Sequence, residues 1–216
     1  MKSKYNLLAE KLLLLVKLKN KRIITRNELR EECKILKISY YSMINSFLGN
    51  HYLTRILRGI FYVNNLEERK RKMSDISFYN AISEALKLKG VTNWYFGLES
   101  AIKLNNLTHE YFTLDYLISD KLKRPRAIEI LGHKVKFLAI KKELTTFGIK
   151  KNIIPYSDVE KTILDIIYLG IYNSSGEYII KNRIIDYVDR CNKRKLNEYA
   201  KHYPKSVLNF IKKLKI

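Results

Sequence analysis

The sequence predicts an α+β fold in two domains, and three observations carry that expectation. Apolar side chains recur at helical spacing through residues 5–49, then give way to short runs rich in β-branched and aromatic residues. A charged stretch without apolar periodicity, NNLEERKRKMSD at 64–75, interrupts the chain. Beyond it strand-like and helix-like segments mix, and helical patterns alone fill the C-terminal part. With 216 residues, 46% of them hydrophobic, the chain can give each domain its own core. The expected boundaries are a first domain at 1–66, a linker at 67–75 that could open as the first turn of a linking helix, and a second domain at 76–216.

The first helix is expected over YNLLAEKLLLLVKL, residues 5–18, followed by a basic turn, KNKR. Thr25 with Glu28 forms a T-x-x-E capping box that opens a second helix, TRNELREECKIL. Ser39 can cap a third, YYSMINSFLG, which ends at Gly49 or Asn50. YLTRIL and IFYV, separated by Arg58-Gly59, read as a β-hairpin. Three helices and then a hairpin is the order of a winged helix-turn-helix.

In the second region SFYNAISEALKLKG reads as a helix, VTNWYF as a strand and GLESAIKLNNL as a helix. Strand candidates follow at YFTLDYLIS, RAIEIL, KVKFLAI and KKNIIP. Ser157 and Glu160 form a second capping-box pattern ahead of EKTILDIIYLGIY. EYIIKNRIIDYVDRC, LNEYAKHY and PKSVLNFIKKLK complete a mixed α/β domain that ends in helices.

The longest apolar run, LLLLV at 12–16, is far short of the ~20 residues of a membrane span. The N-terminus has neither an uninterrupted apolar stretch nor a small-residue cleavage site, so the expectation is a cytoplasmic protein. Cys33 and Cys191 are remote in sequence and fit neither a disulfide framework nor a zinc finger. The charge is the strongest compositional signal. Lys and Arg number 42 against 21 acids, a net of +21, which marks a polyanionic partner. Residues 1–75 hold 17 Lys and Arg against 7 acids, so the N-terminal third is the denser footprint.

Between Glu32 and Glu67 there is no carboxylate at all, while Lys34, Lys37, Arg55 and Arg58 fall inside that window. On the third helix Tyr40, Met43, Ile44, Phe47 and Leu48 share one face, which belongs to the core. Ser42, Asn45, Ser46 and Gly49 share the other, with Tyr41 at its edge. Such small polar residues suit close approach to base edges, and Asn can bond adenine bidentately. Arg55 and Arg58 near the hairpin tip can reach a phosphate or a narrow minor groove. Thr25, Arg26 and Asn27 stand where a helix N-terminus can hold a phosphate. A carboxylate beside these would be repelled by a DNA strand carrying one charge per about 3.4 Å. The predicted DNA-contacting set is Arg26, Tyr41, Ser42, Asn45, Ser46, Arg55 and Arg58. Helix-turn-helix scaffolds also serve in protein docking, and an RNA-binding protein or nucleic-acid enzyme is a further alternative.

No catalytic pattern is found. His51, His109, His133 and His202 are dispersed, and there is no Walker A, G-x-G-x-x-G or G-x-S-x-G. Asp158, Glu160 and Asp165 could suggest metal ligands, but capping accounts for acids at a helix start. KLKRPR at 121–126 is a further basic patch or a solvated loop. No enzyme, cofactor or metal is expected.

Several segments together resemble the AbiEi family, antitoxins and transcriptional regulators of AbiE-type (type IV) toxin–antitoxin systems. LTRILRGIFYVNN resembles that family's wing, WYFGLESAIKLNNLT its strand and following helix, and SDVEKTILDIIY its E-K-T-L-L-D helix, here Glu160, Lys161, Thr162, Ile163, Leu164 and Asp165. The ordered set spans roughly residues 5–200. Asn105-Asn106-Leu107 departs from it, standing where the family pattern has His-Gly-Leu. The resemblance implies a winged-helix domain on operator DNA upstream of its own operon and an α/β antitoxin domain. It also implies a nucleotidyltransferase-like toxin, opposed functionally rather than bound stably. Relatives of this type also occur as stand-alone regulators.

Overall fold

A computed structural model of the protein, describing residues 2–19 and 21–214, has an α+β architecture. It divides into two compact units, residues 1–90 with 130–132 and residues 91–129 with 133–216. Asn20 of the expected basic turn and Lys215 of the expected last helix lie outside the described residues.

The first unit runs α1 (Lys2–Lys19), β1 (Ile23–Thr25), α2 (Arg26–Ile35), α3 (Tyr40–Gly49), β2 (Leu53–Leu57), β3 (Ile60–Val63), α4 (Leu66–Arg71) and α5 (Phe78–Leu88). Leu8, Leu12, Leu29, Cys33, Met43, Phe47, Leu53 and Phe61 meet in its core. The Thr25 capping box is present. The Thr25 hydroxyl accepts from the Glu28 backbone N–H, and the Glu28 carboxylate accepts from the Thr25 N–H at 2.7 Å, so two orphan donors are satisfied. Ser39 occupies the N-cap of α3 but makes no side-chain cap bond. The hairpin forms as expected, with Gly59 at φ +80° in its turn, a conformation that favours glycine. It has a third member, β1, antiparallel to β3, in the order β1-β3-β2. At three residues, β1 is too short for an alternation signal.

The stretch expected as a linker, 67–75, belongs instead to the first unit. Asn65 and Glu68 form a capping box that starts α4. Glu68 is fully buried, and its carboxylate accepts from the backbone N–H groups of Asn65 and Asp75 (both 2.7 Å), the Tyr62 hydroxyl (2.8 Å) and the Arg22 guanidinium (3.1 Å). One acid collecting four donors turns a charged, aperiodic stretch into ordered structure. The Ser74 hydroxyl adds bonds to Thr54 and Asn64. Helix α5, expected in the second domain, packs on β1, β2 and β3.

The second unit runs β4 (Trp94–Phe96), α6 (Leu98–Leu104), β5 (Leu114–Ser119), β6 (Ile128–Ile130, the last residue of which is counted with the first unit), β7 (His133–Ala139), a 3₁₀ turn (Lys142–Thr145), β8 (Ile149–Lys151), β9 (Pro155–Ser157), α7 (Val159–Tyr172), α8 (Glu177–Val188), α9 (Lys193–Ala200) and α10 (Lys205–Leu214). Its mixed sheet has the order β6-β7-β5-β4-β9-β8. β4 is antiparallel to β5 and parallel to β9, and β5 is parallel to β7. Helix α7, buried almost all round, is the hub against which α6, α8, α9 and α10 pack.

The capping box expected from Ser157 and Glu160 is not formed. Ser157 is still in β9, and Asp158 is the N-cap, accepting from the Lys161 N–H at 2.9 Å. The Ser157 hydroxyl bonds Thr162 instead, and the Glu160 carboxylate accepts from the Asn192 N–H and pairs with Lys195. Inside the unit Lys161 and Asp165, both fully buried, pair at 3.2 Å, and Asp165 accepts from the Tyr95 hydroxyl (2.7 Å) and the Tyr203 hydroxyl (2.6 Å). Burial, with Asp165 alongside, raises both phenols well above their ordinary values. Gly148, at φ +64°, leaves room for Lys161; a Cβ there would sit 2.8 Å from the Lys161 Cβ.

Two stability predictions follow from these buried charges. Lys161→Met removes the cation that faces the buried Asp165, and should cost about 3–5 kcal/mol in denaturant unfolding of the second unit. Adding Asp165→Asn should recover most of that loss, and a double variant as unstable as the single one would refute the pairing account. In the first unit, burial acts to raise the Glu68 carboxyl, but the bonds from Asn65, Asp75, Tyr62 and the charge of Arg22 outweigh it and hold it below its ordinary 4.5. Its stabilisation is therefore present above that value and is lost as pH falls below it through the lower folded-state value. Glu68→Gln should lower stability by roughly 1.5–3 kcal/mol at neutral pH, and wild type and variant should converge in acid. A gap unchanged down to about pH 3 would contradict this linkage.

Candidate nucleic-acid interface

Helix α2 ends at Ile35 with Leu36 as its C-cap, and Lys37 takes φ +52° to turn the chain into α3. The Ile38 N–H bonds back to the Cys33 carbonyl at 2.9 Å. Met43, Ile44 and Phe47 are buried, with Tyr40 and Leu48 half-buried beside them. The face expected to point inward does so.

The opposite face carries Tyr41, Ser42, Asn45 and Gly49, all exposed, with Ser46 half-buried. Tyr41 is 70% exposed and meets Tyr40 edge-on, while the Arg30 guanidinium lies 5.2 Å from the Tyr40 ring centre. The side chains of Ser42 and Asn45 engage no hydrogen-bond partner among the described residues. At Ser46 the backbone carbonyl accepts from the Asn50 amide at 2.8 Å. Asn45 therefore presents one donor group and one acceptor group together, the pattern that reads the adenine edge.

The arginines fall at the hairpin. The Arg26 N–H donates to the Gly59 carbonyl at 2.8 Å, so the start of α2 is tied to the hairpin turn. The Arg26 Nε is buried without a hydrogen-bond partner. Arg58 is exposed in the turn, and its backbone carbonyl accepts from the Lys89 ammonium at 3.0 Å. Arg55 is exposed on β2, 5.9 Å from the Phe61 ring centre. The structure thus gathers Arg26 and Arg58 at one end of the unit. Arg22 is already engaged by Tyr62 and Glu68.

Sequence reasoning passed over two cations of α4, Arg69 and Lys70. The aperiodic charge run was their only signal. Arg69 stacks 4.1 Å from the Tyr52 ring centre.

In the second unit the motif residues Glu160, Lys161, Thr162 and Asp165 are all buried. They tie α7 to β4 through Tyr95, to α9 through Lys195, and to the loop before α10 through Tyr203. Asp158, Glu160 and Asp165 do not converge as metal ligands: the first two share Lys195, and the third faces Lys161. No cluster of three His, Cys, Asp or Glu residues suited to a metal occurs among the described residues. Cys33 and Cys191 are free thiols, and burial pushes Cys191 up to about 12. In the 105–107 loop, Asn106 takes φ +55°, a left-handed position that glycine favours and Asn tolerates. The Asn105 amide bonds the Ser157 carbonyl and accepts from Lys150, both at 2.8 Å. Among the described residues, no helix is long and apolar enough to cross a membrane.

No family model matches the chain, and no curated protein matches it. A solved structure does, the RV2827C protein from Mycobacterium tuberculosis, with a TM-score of 0.59 at 13% sequence identity over 94% of this chain and 74% of that one. At that identity the likeness is one of fold.

Proposed function

We propose that the first unit is a winged helix-turn-helix and that the protein is a sequence-specific DNA-binding transcriptional regulator. One observation carries the proposal: α3 exposes a face of small polar side chains, with Ser42 and Asn45 unpartnered among the described residues, inside a window of sequence without any carboxylate. Supporting it are the order of three helices and a hairpin, the tie between the start of α2 and the hairpin turn, and the net charge of +21. In this reading α3 enters the major groove, with Ser42 and Asn45 at base edges and Tyr41 and Ser46 flanking them. Arg55, Arg58 and Arg26 meet phosphates or the adjacent minor groove.

The AbiEi resemblance extends this to an autorepressor of its own operon and a type IV antitoxin, opposing a nucleotidyltransferase-like toxin without a stable complex. The second unit would carry the antitoxin activity. Since Glu160, Lys161, Thr162 and Asp165 are buried, their part in it would be to hold that unit's shape rather than to touch a partner.

The test is a binding titration of the purified protein against its own upstream DNA and a scrambled duplex at two salt concentrations. The expected result is a preference for the upstream DNA that survives the higher salt; no binding to either duplex would end the DNA reading. Asn45→Ala should cost about 1–3 kcal/mol on the preferred site and little on the scrambled one. Arg58→Ala should weaken both and flatten the salt slope by about one unit. Undiminished site preference in Asn45→Ala would remove that residue from the readout.

A further inference from the structure

Beside α3 lies an open groove of about 520 Å³, wholly within the first unit, with Ser46 and Asn50 on one wall and Arg69 and Lys70 on the other. Its floor is aromatic. Tyr5 meets Phe47 edge-on at 6.1 Å, and Phe47 stacks on Tyr52 at 4.8 Å. The Arg69 guanidinium lies over Tyr52, whose ring also lines the groove. A guanidinium held by its face keeps its N–H donors pointing outward along its edge, and those of Arg69 have no partner among the described residues. Lys70 is exposed and equally unengaged. Among the described residues, no carboxylate lines the groove.

The placement of these cations is fixed. Glu68, the residue before Arg69, is turned inward and satisfied by four donors, so its charge is withdrawn from the surface that Arg69 and Lys70 share. Arg71 is engaged by Asp75, one guanidinium nitrogen donating to both carboxylate oxygens, and takes no part. Ser46 belongs both to the polar face of α3 and to the groove wall, so the groove opens directly beside the proposed base-reading face.

We propose that this groove is a phosphate clamp. In it Arg69 and Lys70 of α4, facing Ser46 and Asn50, grip backbone phosphates of duplex DNA flanking the bases that α3 reads. The clamp rests on the DNA-binding reading and deepens it, adding a contact on the α4 side of the recognition helix to those of the hairpin arginines. Phosphate contacts fix register without reading sequence, so the clamp should raise affinity for every duplex alike.

The experiment uses the full chain, its upstream DNA and a scrambled duplex. Lys70→Gln alters an unpartnered surface side chain, and Arg69→Gln/Lys70→Gln empties the clamp; circular dichroism and thermal unfolding check that both remain folded. The double variant should bind both duplexes roughly tenfold more weakly, with a salt slope shallower by about two units and site preference unchanged. Lys70→Gln should show about half the change in slope. Uncharged methylphosphonates are then placed singly along the upstream duplex. At one or two flanking positions they should weaken wild type and leave the double variant unaffected, the non-additivity that marks a direct contact. If wild type binds and the double variant matches it in affinity and slope, the clamp is wrong and the DNA reading stands. Additive losses at every methylphosphonate position would equally overturn the clamp, reducing these residues to distant background charge. If wild type binds neither duplex, both readings fall together.

Discussion

The buried carboxylate of Glu68 is the constraint on which the first unit's surface depends. A buried charge persists only with donors around it, and here they come from three parts of the chain: Arg22 before β1, Tyr62 in β3, and the backbone at Asn65 and Asp75. Satisfying one acid therefore docks α4 against the three-stranded sheet. It also sets the direction in which the following residues face. Arg69 and Lys70 are turned to the groove beside α3 because the residue before them is turned into the protein.

The second unit solves its own problem with the same physics on a different pair. Lys161 and Asp165 lie one helical turn apart on α7, the spacing at which side chains meet, and tyrosines from β4 and from the loop before α10 supply the remaining donors. An apolar pair of similar volume could be as stable. What the polar network adds is specificity of arrangement, since Tyr95, Tyr203 and the α7 register must all agree before the charges are compensated.

Legibility in the sequence followed the range of the interaction. The Thr25–Glu28 box, the two faces of α3 and the Arg58-Gly59 hairpin are set by neighbours within a few residues, and each was readable. Strand β1 was not, since Ile23–Thr25 is defined by pairing with β3, some forty residues away. The run at 64–75 looked like a linker because its order depends on Arg22 and Tyr62, which no local pattern reveals. At α7 the S-D-V-E pattern puts the cap at Ser157, and it is the pairing of β9, which reaches Ser157, that moves the start of the helix to Asp158. The exposed polar face of α3 was visible from periodicity alone. The α4 wall of the groove was not, because it requires knowing which way a six-residue helix is pinned.

The acids of the first 75 residues explain how a surface for a polyanion can sit in a chain that is not poor in carboxylates. Of the seven, five are placed so that their charge is locally answered. Glu28 closes the α2 cap, Glu31 pairs with Lys34, Glu32 with Lys11, Glu68 with Arg22, and Asp75 with Arg71. Those contacts reach cations on α1, before β1, on α2 and at the end of α4. Among the described residues, no carboxylate lines the groove or stands on the exposed face of α3. A carboxylate facing the solvent within a Debye length of these side chains, about 8 Å at physiological salt, would cancel much of their attraction for phosphate. The acid-free window between Glu32 and Glu67 is thus half of the arrangement. The other half is the inward turn of Glu68, which leaves Glu67 as the exposed acid of α4 while Arg69 and Lys70 line the groove.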